Sequence, residues 1–233
     1  MTNTLATKFT DISARTAALI AGFGLLAMTI AAIFANFSVV ERLVVPKDAM
    51  TTTSNIVTSE STFLLGVSLF LIVIVLDVVV AWALYVFLKP VNKNLSLLTA
   101  WLRVVYGAIF AFALMSLFNV LQLLNGANSI VDTELSTQVM LSINAFSNTW
   151  NFGFIFFGSH LILLGYLVFR SGYIHKLFGI LLVISGLGYL IDSFSKMCLV
   201  HYNIEITLFT FIGELLFMFW LLFKGGKTKK SNL

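Results

Sequence analysis

The chain has 233 residues, of which 59% are hydrophobic and 10% are charged, and its formal net charge is +4. A soluble domain is about 45–50% apolar and roughly 25% charged, so this composition leaves too few charged side chains to cover a water-facing surface. The basic residues flank apolar segments instead of forming a patch, which argues against nucleic acid as a partner. The single cysteine, Cys198, excludes an intramolecular disulfide and a thiolate metal cluster.

Six apolar segments are each long enough to cross a bilayer as a helix, which takes roughly 20 residues for about 30 Å of hydrocarbon. Helices are expected because lipid offers no partner to an unpaired backbone group, and the alternation of a membrane β-barrel is absent, as in the unbroken apolar run 71–76. The sequence predicts an all-α, polytopic membrane protein in which one membrane domain, 1–233, is a six-transmembrane-helix bundle. The predicted spans are 15–37, 62–88, 95–124, 148–169, 175–195 and 203–223.

The first segment is predicted to be a retained helix, because it is too long for a signal peptide and no clear cleavage site follows it. The connection at 38–61 contains Pro46, which predicts a loop or a short interfacial helix. The connection at 125–147 opens with the turn signal Asn125-Gly126, and Asp132 is a candidate helix cap. Apolar residues then recur at roughly helical spacing, so the fourth span is predicted to begin well outside the membrane: Leu135, Val139, Ile143, Phe146 and Trp150.

The distribution of lysine and arginine predicts the orientation. Eleven of them fall on one side of the predicted membrane, from Lys8 and Arg15 to the C-terminal Lys224–Lys230 cluster, and three fall on the other: Arg42, Lys47 and Lys196. Positively charged connections stay in the cytoplasm, so both termini are predicted to be cytoplasmic.

Polar residues in the outer half of the bundle form a candidate ligand site. On the sixth span Asn203, Thr207, Thr210 and Glu214 share one helix face, and on the fifth span Ser185 and Asp192 do so as well. The short turn between these spans brings Asp192 level with Thr207, and Ser185 level with Glu214. Two interpretations remain open, namely hydrogen bonds that join the helices and an outward-opening polar cavity. The predicted cavity residues are Asn119, Gln122, Asn148, Asn151, Asp192 and Glu214.

Asp77 and Arg103 are predicted to form a buried ion pair. They lie on consecutive spans at similar distances from the short cytoplasmic turn, and an ionisable residue inside a span costs about 2.5–3.5 kcal/mol on insertion scales. A structural role is favoured over a catalytic one. His160 also falls near mid-depth, where hydrogen bonding to a neighbour is more common than metal binding.

No motif selects an enzymatic chemistry. The sequence contains no HExxH zinc motif, no GxSxG elbow, no Walker loop and no mid-depth lysine for a Schiff base. A haem held by two histidines is also excluded, because no second histidine lies at the depth of His160. No catalytic residue, cofactor or metal is therefore predicted.

Four stretches of the sequence resemble a known family. They are DISARTAALIAG (11–22), FNVLQLL (118–124), FIFFGSHLILLGY (154–166) and GLGYLIDSF (186–194). The chain resembles a family of bacterial six-helix membrane proteins catalogued as domain of unknown function 4386. The resemblance implies the same six-span fold over almost the whole chain and a location in the bacterial cytoplasmic (inner) membrane. It implies no activity and no catalytic residues.

Three hypotheses about function follow from the sequence. The first is a protein that binds or moves a small solute or protons through the outer polar cavity. The second is a non-transporting accessory or sensor protein, whose polar groups only hold the bundle together and whose protein partner is unknown. The third, behind the other two, is an intramembrane enzyme that acts on a lipid and is centred on Asp77, His160 and Glu214.

Overall fold

The structure is a computed structural model, and it describes residues 12–126, 132–198 and 206–226. All regular secondary structure in these ranges is helical. The helices are α1 (Ala14–Ala35), which continues as a π-helical turn (Asn36–Glu41), α2 (Ala49–Thr58), α3 (Glu60–Leu88), α4 (Lys93–Gly126), α5 (Thr133–Arg170), α6 (Lys176–Cys198), α7 (Thr207–Thr210) and α8 (Ile212–Phe223).

The prediction of an all-α, polytopic membrane protein is confirmed. Helices α1, α3, α4, α5 and α6 are long and apolar enough to cross a membrane. The predicted span 203–223 needs a correction, because it is not one continuous helix. Residues 203–205 lie outside the described ranges, and the rest divides at Phe211 into α7 and the 12-residue α8. At 1.5 Å per residue, α8 is about 18 Å long, which is shorter than the hydrocarbon core.

The long helices form a closed ring around a shared interior. Helix α1 packs against α3, α3 against α4, α4 against α5 and α5 against α6, while α8 fills the gap between α6 and α1. Neighbours along this ring are antiparallel, as the pairs Asn119–Ser142 and Arg103–His160 show for α4 and α5. Each helix therefore turns one face to the interior and another to lipid, which explains why large apolar side chains such as Phe112 are exposed on the outside.

The helices α5 and α6 pack with their backbones in close contact. Gly158 faces Gly186 and Gly165 faces Gly179, and a Cβ on Gly186 would lie 2.6 Å from the Gly158 carbonyl oxygen. Small residues at such positions let membrane helices approach each other closely. This packing fixes the axial register of α5 against α6, and with it the relative height of the polar residues that the two helices carry.

The two long connections predicted on the side of the bundle opposite the chain ends, 38–61 and 125–147, carry helix in their described residues. The connection after α1 contains the short helix α2, in agreement with the predicted loop or short helix. Asp48 caps α2 by accepting from the Thr51 N–H at 2.9 Å and from the Thr51 hydroxyl at 2.7 Å. Asp132 caps α5 through the Leu135 N–H at 2.8 Å. Helix α5 then runs unbroken for 38 residues, or about 57 Å, which is longer than the hydrocarbon core, and it begins at Thr133, in the connection where helical spacing predicted its start.

The start of α1 and the end of α8 lie at the same end of the bundle. The Arg15 guanidinium donates to the carbonyl oxygens of Leu222 at 2.8 Å and Gly225 at 2.6 Å, and so satisfies carbonyls that the end of α8 leaves unpaired. Six basic residues sit on the helix ends and turns of this side: Arg15, Lys89, Lys93, Arg170, Lys176 and Lys224.

Candidate functional site

A buried arginine lies in the interior of the ring. The side chain of Arg103, on α4, is 2% exposed, and its Nη2 lies 2.8 Å from Oδ1 of Asp77 on α3, which is fully buried. The same Nη2 contacts the Met28 sulfur on α1 at 3.8 Å. The Phe157 ring on α5 completes the surroundings, with the guanidinium carbon 5.4 Å from its centroid. The predicted pair of Asp77 and Arg103 is therefore a direct contact, made at a point where two other helices of the ring, α1 and α5, also meet.

His160 supports the arginine from α5. Its Nδ1 lies 2.8 Å from the Thr99 carbonyl oxygen, and its Nε2 lies 3.4 Å from Nη1 of Arg103. A carbonyl only accepts and a guanidinium only donates, so Nδ1 carries the proton and Nε2 accepts. The imidazole is therefore held in one tautomer and acts as a neutral acceptor for the arginine. We refer to Asp77, Arg103, His160 and Glu214 as the arginine cluster.

The arginine cluster has more polar atoms than hydrogen bonds. Within the described residues, four inaccessible side-chain atoms have no hydrogen-bond partner: Asp77 Oδ1, Asp77 Oδ2, Arg103 Nε and Glu214 Oε1. The contact between Asp77 and Arg103 is thus an ion pair at short distance without a well-aligned hydrogen bond. An unsatisfied polar atom inside a protein costs about 1–3 kcal/mol, and more when it is charged. These four atoms make the arginine cluster the least satisfied polar site in the described interior.

Glu214 reaches the cluster from α8. It lies in the first turn of that helix, directly after the break at Phe211. Its carboxyl lies beside the Tyr189 hydroxyl of α6 and interacts electrostatically with Arg103 and Asp77. The sequence register placed Glu214 level with Ser185, and the structure agrees: the Ser185 hydroxyl oxygen lies 2.8 Å from where a Cβ on the neighbouring Gly213 would be, and it donates to the Thr210 carbonyl.

A cavity of mixed lining opens on the side of the cluster away from Arg15 and the end of α8, which is the side predicted to be outer, and we call it the outer cavity. It has a volume of about 880 Å³, within the usual range of about 300–1,000 Å³ for small-molecule pockets, and lies between the π-helical turn, α5, α6 and α7. Its mouth is marked by residues that are exposed, such as Asn148 and Lys196. Its lining combines amides, hydroxyls, charges and aromatic rings: Asn36, Glu41, Phe146, Ser147, Asn148, Trp150, Asn151, Phe152, Phe154, Tyr189, Asp192, Ser193, Lys196, Met197 and Thr207.

Four aromatic side chains separate this outer cavity from the arginine cluster. Tyr189 belongs to both sites, because it lines the cavity and also lies beside Glu214. Its ring centroid is 5.1 Å from that of Phe154 and 5.0 Å from that of Phe157. Tyr106 packs against Phe157 at 4.8 Å and accepts a hydrogen bond from Trp150 Nε1 at 3.0 Å. We call Tyr106, Phe154, Phe157 and Tyr189 the aromatic layer.

The six predicted cavity residues separate into two groups. Asn148, Asn151 and Asp192 line the outer cavity. Asn119 does not, because it donates to the Ser142 hydroxyl at 2.9 Å on another part of the α4–α5 interface. Gln122 is exposed, and Glu214 lies deeper, behind Tyr189. The positions of Asn119 and Gln122 differ from the prediction because of the rotation of α4 about its own axis. Packing against α3 and α5 sets this rotation, and the depth of a residue along the span does not predict it.

Asp192 has a clear local function in the cavity wall. Its carboxylate accepts from the Ile206 N–H at 3.1 Å, and from the N–H and hydroxyl of Thr207 at 2.7 and 2.6 Å. Asp192 on α6 therefore caps the start of α7, and the predicted level contact between Asp192 and Thr207 is present. These three bonds explain why a carboxylate lies at this depth. A contribution of Asp192 to ligand binding stays a prediction.

Several cavity and cluster residues were not singled out as ligand-binding residues from the sequence. Lys196 was used only to predict the orientation, and Glu41 was given no part, although both line the cavity. Tyr189, which lines the cavity as well, was not proposed as a binding residue either. Its position three residues before Asp192 was a usable signal, because residues three apart lie on one face of a helix.

Comparisons with known proteins place the chain among relatives without an assigned activity. The model of the family described as Domain of unknown function (DUF4386) matches residues 20–225. A relative from Archaeoglobus fulgidus, named "Uncharacterized protein", is 42% identical over 161 residues, which are 69% of this chain and 83% of the relative. No solved structure matches the chain.

Proposed function

We propose that this integral membrane protein, which belongs to the family described as Domain of unknown function (DUF4386), binds a small polar solute in the outer cavity. The family match covers residues 20–225 and confirms the resemblance that the four sequence stretches indicated. The observation that carries the proposal is the cavity itself, which has a volume of about 880 Å³ and opens at one end of the helix ring.

The lining of the cavity supports a polar ligand. The amides of Asn148 and Asn151 can both donate and accept, and Lys196 and Glu41 add charges of opposite sign near the mouth. Aromatic rings of Trp150 and Phe154, on the same helix as the two amides, add apolar surface to the lining. Concave sites with apolar walls and a few convergent polar groups are typical of small-molecule binding.

We place the protein in the cytoplasmic membrane with both termini in the cytoplasm, so that the cavity opens to the outside. The basis is the lysine and arginine distribution, eleven against three, together with the basic residues around Arg15 at the end of the bundle away from the cavity. The relative from Archaeoglobus fulgidus is archaeal, so proteins similar to this chain are not confined to bacteria.

A lipid-cleaving enzyme centred on Asp77, His160 and Glu214 is the less favoured alternative. Asp77 and His160 are fully buried, and Nε2 of His160 already accepts from Arg103. A general base must come within hydrogen-bonding distance of the group that it deprotonates. A lipid substrate would therefore have to displace Arg103 from its contacts before its scissile bond could reach this histidine.

A thermal-shift screen of the purified protein tests solute binding. The panel holds amino acids, polyols, organic cations, carboxylates and nucleosides, added separately to wild type, Asn148→Leu and Asn144→Leu. Asn148 lines the cavity, whereas Asn144 is exposed one turn earlier on the same helix and does not line it. We expect at least one class to raise the Tm of wild type and of Asn144→Leu, and to have a smaller effect on Asn148→Leu. A ligand that stabilises all three proteins equally, or a panel without any effect on wild type, contradicts the proposal.

A further inference from the structure

The arginine cluster collects charge from several helices of the ring. Asp77 comes from α3, Arg103 from α4, His160 from α5 and Glu214 from α8, while Tyr189 of α6 lies beside Glu214. Helix α1 contributes the Met28 sulfur, which does not titrate. Tyr106 of α4 completes the titratable groups around Glu214. A core held together only by packing would not need two carboxyl groups around one guanidinium.

The charges of this cluster do not balance. His160 is neutral, since its Nε2 accepts from Arg103, so one positive charge faces two carboxyl groups. With both carboxyls ionised, the interior of the membrane would hold a net negative charge without a partner. Two carboxyl groups that share one site do not ionise together readily, and the proton they retain belongs to the pair. The unsatisfied atoms Glu214 Oε1 and Asp77 Oδ2 are where such a proton would reside.

The cluster also has a connection to water. Tyr189 lines the outer cavity with one side and lies beside Glu214 with the other. A phenolic hydroxyl both donates and accepts, so it can relay a proton without a change in its own charge. A hydronium ion in the cavity gives a proton to the Tyr189 oxygen and becomes water, while the Tyr189 O–H proton passes to the Glu214 carboxylate. Only O–H bonds form and break, and release of the proton runs through the same steps in reverse.

We propose that the arginine cluster holds one exchangeable proton, carried by Glu214 and shared with Asp77, which enters and leaves through the outer cavity by way of the Tyr189 hydroxyl. The inference deepens the proposed function, because the cavity brings water to Tyr189. The role of the two acids is then to take up and release a proton as solute enters or leaves the cavity. Arg103 and His160 position the acids and do not carry the proton themselves.

Infrared spectroscopy of the purified protein tests this proposal without any solute. The C=O stretch of a protonated carboxyl group separates from other protein bands and shifts when the proton is exchanged for deuterium. The spectra compare wild type with Glu214→Gln, Asp77→Asn and Tyr189→Phe at neutral pH. The matched control is Glu60→Gln, which removes an exposed carboxyl group at the start of α3 that does not line the cavity.

We expect wild type and Glu60→Gln to show one protonated-carboxyl band that shifts in D₂O and is lost at alkaline pH, and we expect Glu214→Gln to lack it. Tyr189→Phe should keep the band but exchange about a hundredfold more slowly, which is the lower end of what a positioned proton donor contributes. A purely structural tyrosine would leave the exchange rate unchanged.

Two results would overturn the inference. One is the absence of a protonated-carboxyl band in wild type, and the other is a band that survives in both Glu214→Gln and Asp77→Asn. If Glu214→Gln does not fold, the test becomes the rate at which the carboxyl proton exchanges for deuterium in wild type and in Tyr189→Phe. Equal rates would count against a proton route through Tyr189. Because these spectra need no ligand, a failed solute screen leaves them valid, and a missing band leaves the solute screen valid.

Discussion

His160 holds Arg103 from one side through Nε2, at 3.4 Å from Nη1, while its other nitrogen lies 2.8 Å from the Thr99 carbonyl oxygen. The histidine thereby ties the arginine on α4 to α5 and to the backbone of α4 itself. Both ring nitrogens are engaged, one as donor and one as acceptor, so the imidazole has no lone pair left for a metal ion. Within the described residues, no group of three potential metal ligands occurs.

This arrangement predicts the tautomer of His160. In the ¹⁵N spectrum of histidine-labelled protein we expect one imidazole to be neutral with its proton on Nδ1, because a proton on Nε2 would point at the guanidinium. His160→Asn, which removes that signal, assigns it among the three histidines of the chain. An Nε2-protonated or doubly protonated ring at neutral pH would contradict the geometry.

Removal of one partner from the Asp77–Arg103 ion pair should strongly destabilise the protein. Asp77→Asn removes the carboxylate that contacts the guanidinium at 2.8 Å, and loss of one partner from a buried pair costs about 3–5 kcal/mol. Arg103→Gln should have a similar effect, whereas the double variant Asp77→Asn/Arg103→Gln should recover part of the loss, since neither charge is then stranded. Unfolding in detergent measures all three, with the exposed Glu60→Gln on α3 as control. Single variants as stable as the control would refute the pair.

Contact between glycines is expected to limit the substitutions that the α5–α6 interface tolerates. A Cβ on Gly186 would lie 2.6 Å from the Gly158 carbonyl oxygen, so Gly186→Ala must push the two helices apart and should cost about 1–3 kcal/mol. Gly107→Ala is the matched control, because its Cβ would meet Asp77 Cβ at 3.6 Å, an ordinary contact. It should be neutral, or stabilise by about 0.5–1 kcal/mol through helix propensity. Equal Tm values for the two variants would show that α5 and α6 lie farther apart than this structure has them.

The cap of α2 should make this helix sensitive to acid. Hydrogen bonds from the Thr51 N–H and hydroxyl hold the pKa of the Asp48 carboxyl below its usual range. Because the folded state lowers this pKa, the cap stabilises α2 fully above the unfolded value of about 4 and loses this effect as the pH falls further. Asn keeps the acceptor oxygen but does not titrate, so Asp48→Asn should lack the acid-induced increase in hydrogen exchange of residues 49–58. Wild type and Asp48→Asn are compared at the same pH, which cancels the intrinsic pH dependence of hydrogen exchange. Exchange rates that change with pH in the same way in both proteins would argue against the cap.

Sequence reasoning was most successful where depth in the membrane decides the outcome. Asp77 and Arg103 lie at similar distances from the α3–α4 turn, and this distance alone brings them together. Helical spacing likewise predicted the outer extension of α5. Depth does not fix the rotation of a helix about its axis, which is why Asn119 and Gln122 lie away from the cavity that Asn148 and Asn151 line.

The interruption of the last apolar segment was not visible in the sequence. Residues 207–223 contain no proline, and the segment divides at Phe211 between α7 and α8. Tertiary contacts are associated with this break: the Asp192 carboxylate caps α7, and the Ser185 hydroxyl binds the Thr210 carbonyl. These contacts match the register of α6 against α7 and α8 that the sequence predicted, in which Asp192 lies level with Thr207 and Ser185 lies level with Glu214.

Cysteine labelling in intact cells tests most directly whether the cavity is open to water on the outside. In a Cys198→Ser background, which removes the only cysteine, Asn151→Cys reports on the cavity, Asn92→Cys on the α3–α4 turn, and Phe112→Cys on the lipid-facing side, where Phe112 is 72% exposed. The account predicts that a membrane-impermeant maleimide labels Asn151→Cys in intact cells, Asn92→Cys only after permeabilisation, and Phe112→Cys in neither case. Labelling of Asn92→Cys from outside, or a folded Asn151→Cys that stays unlabelled in intact cells, would contradict it.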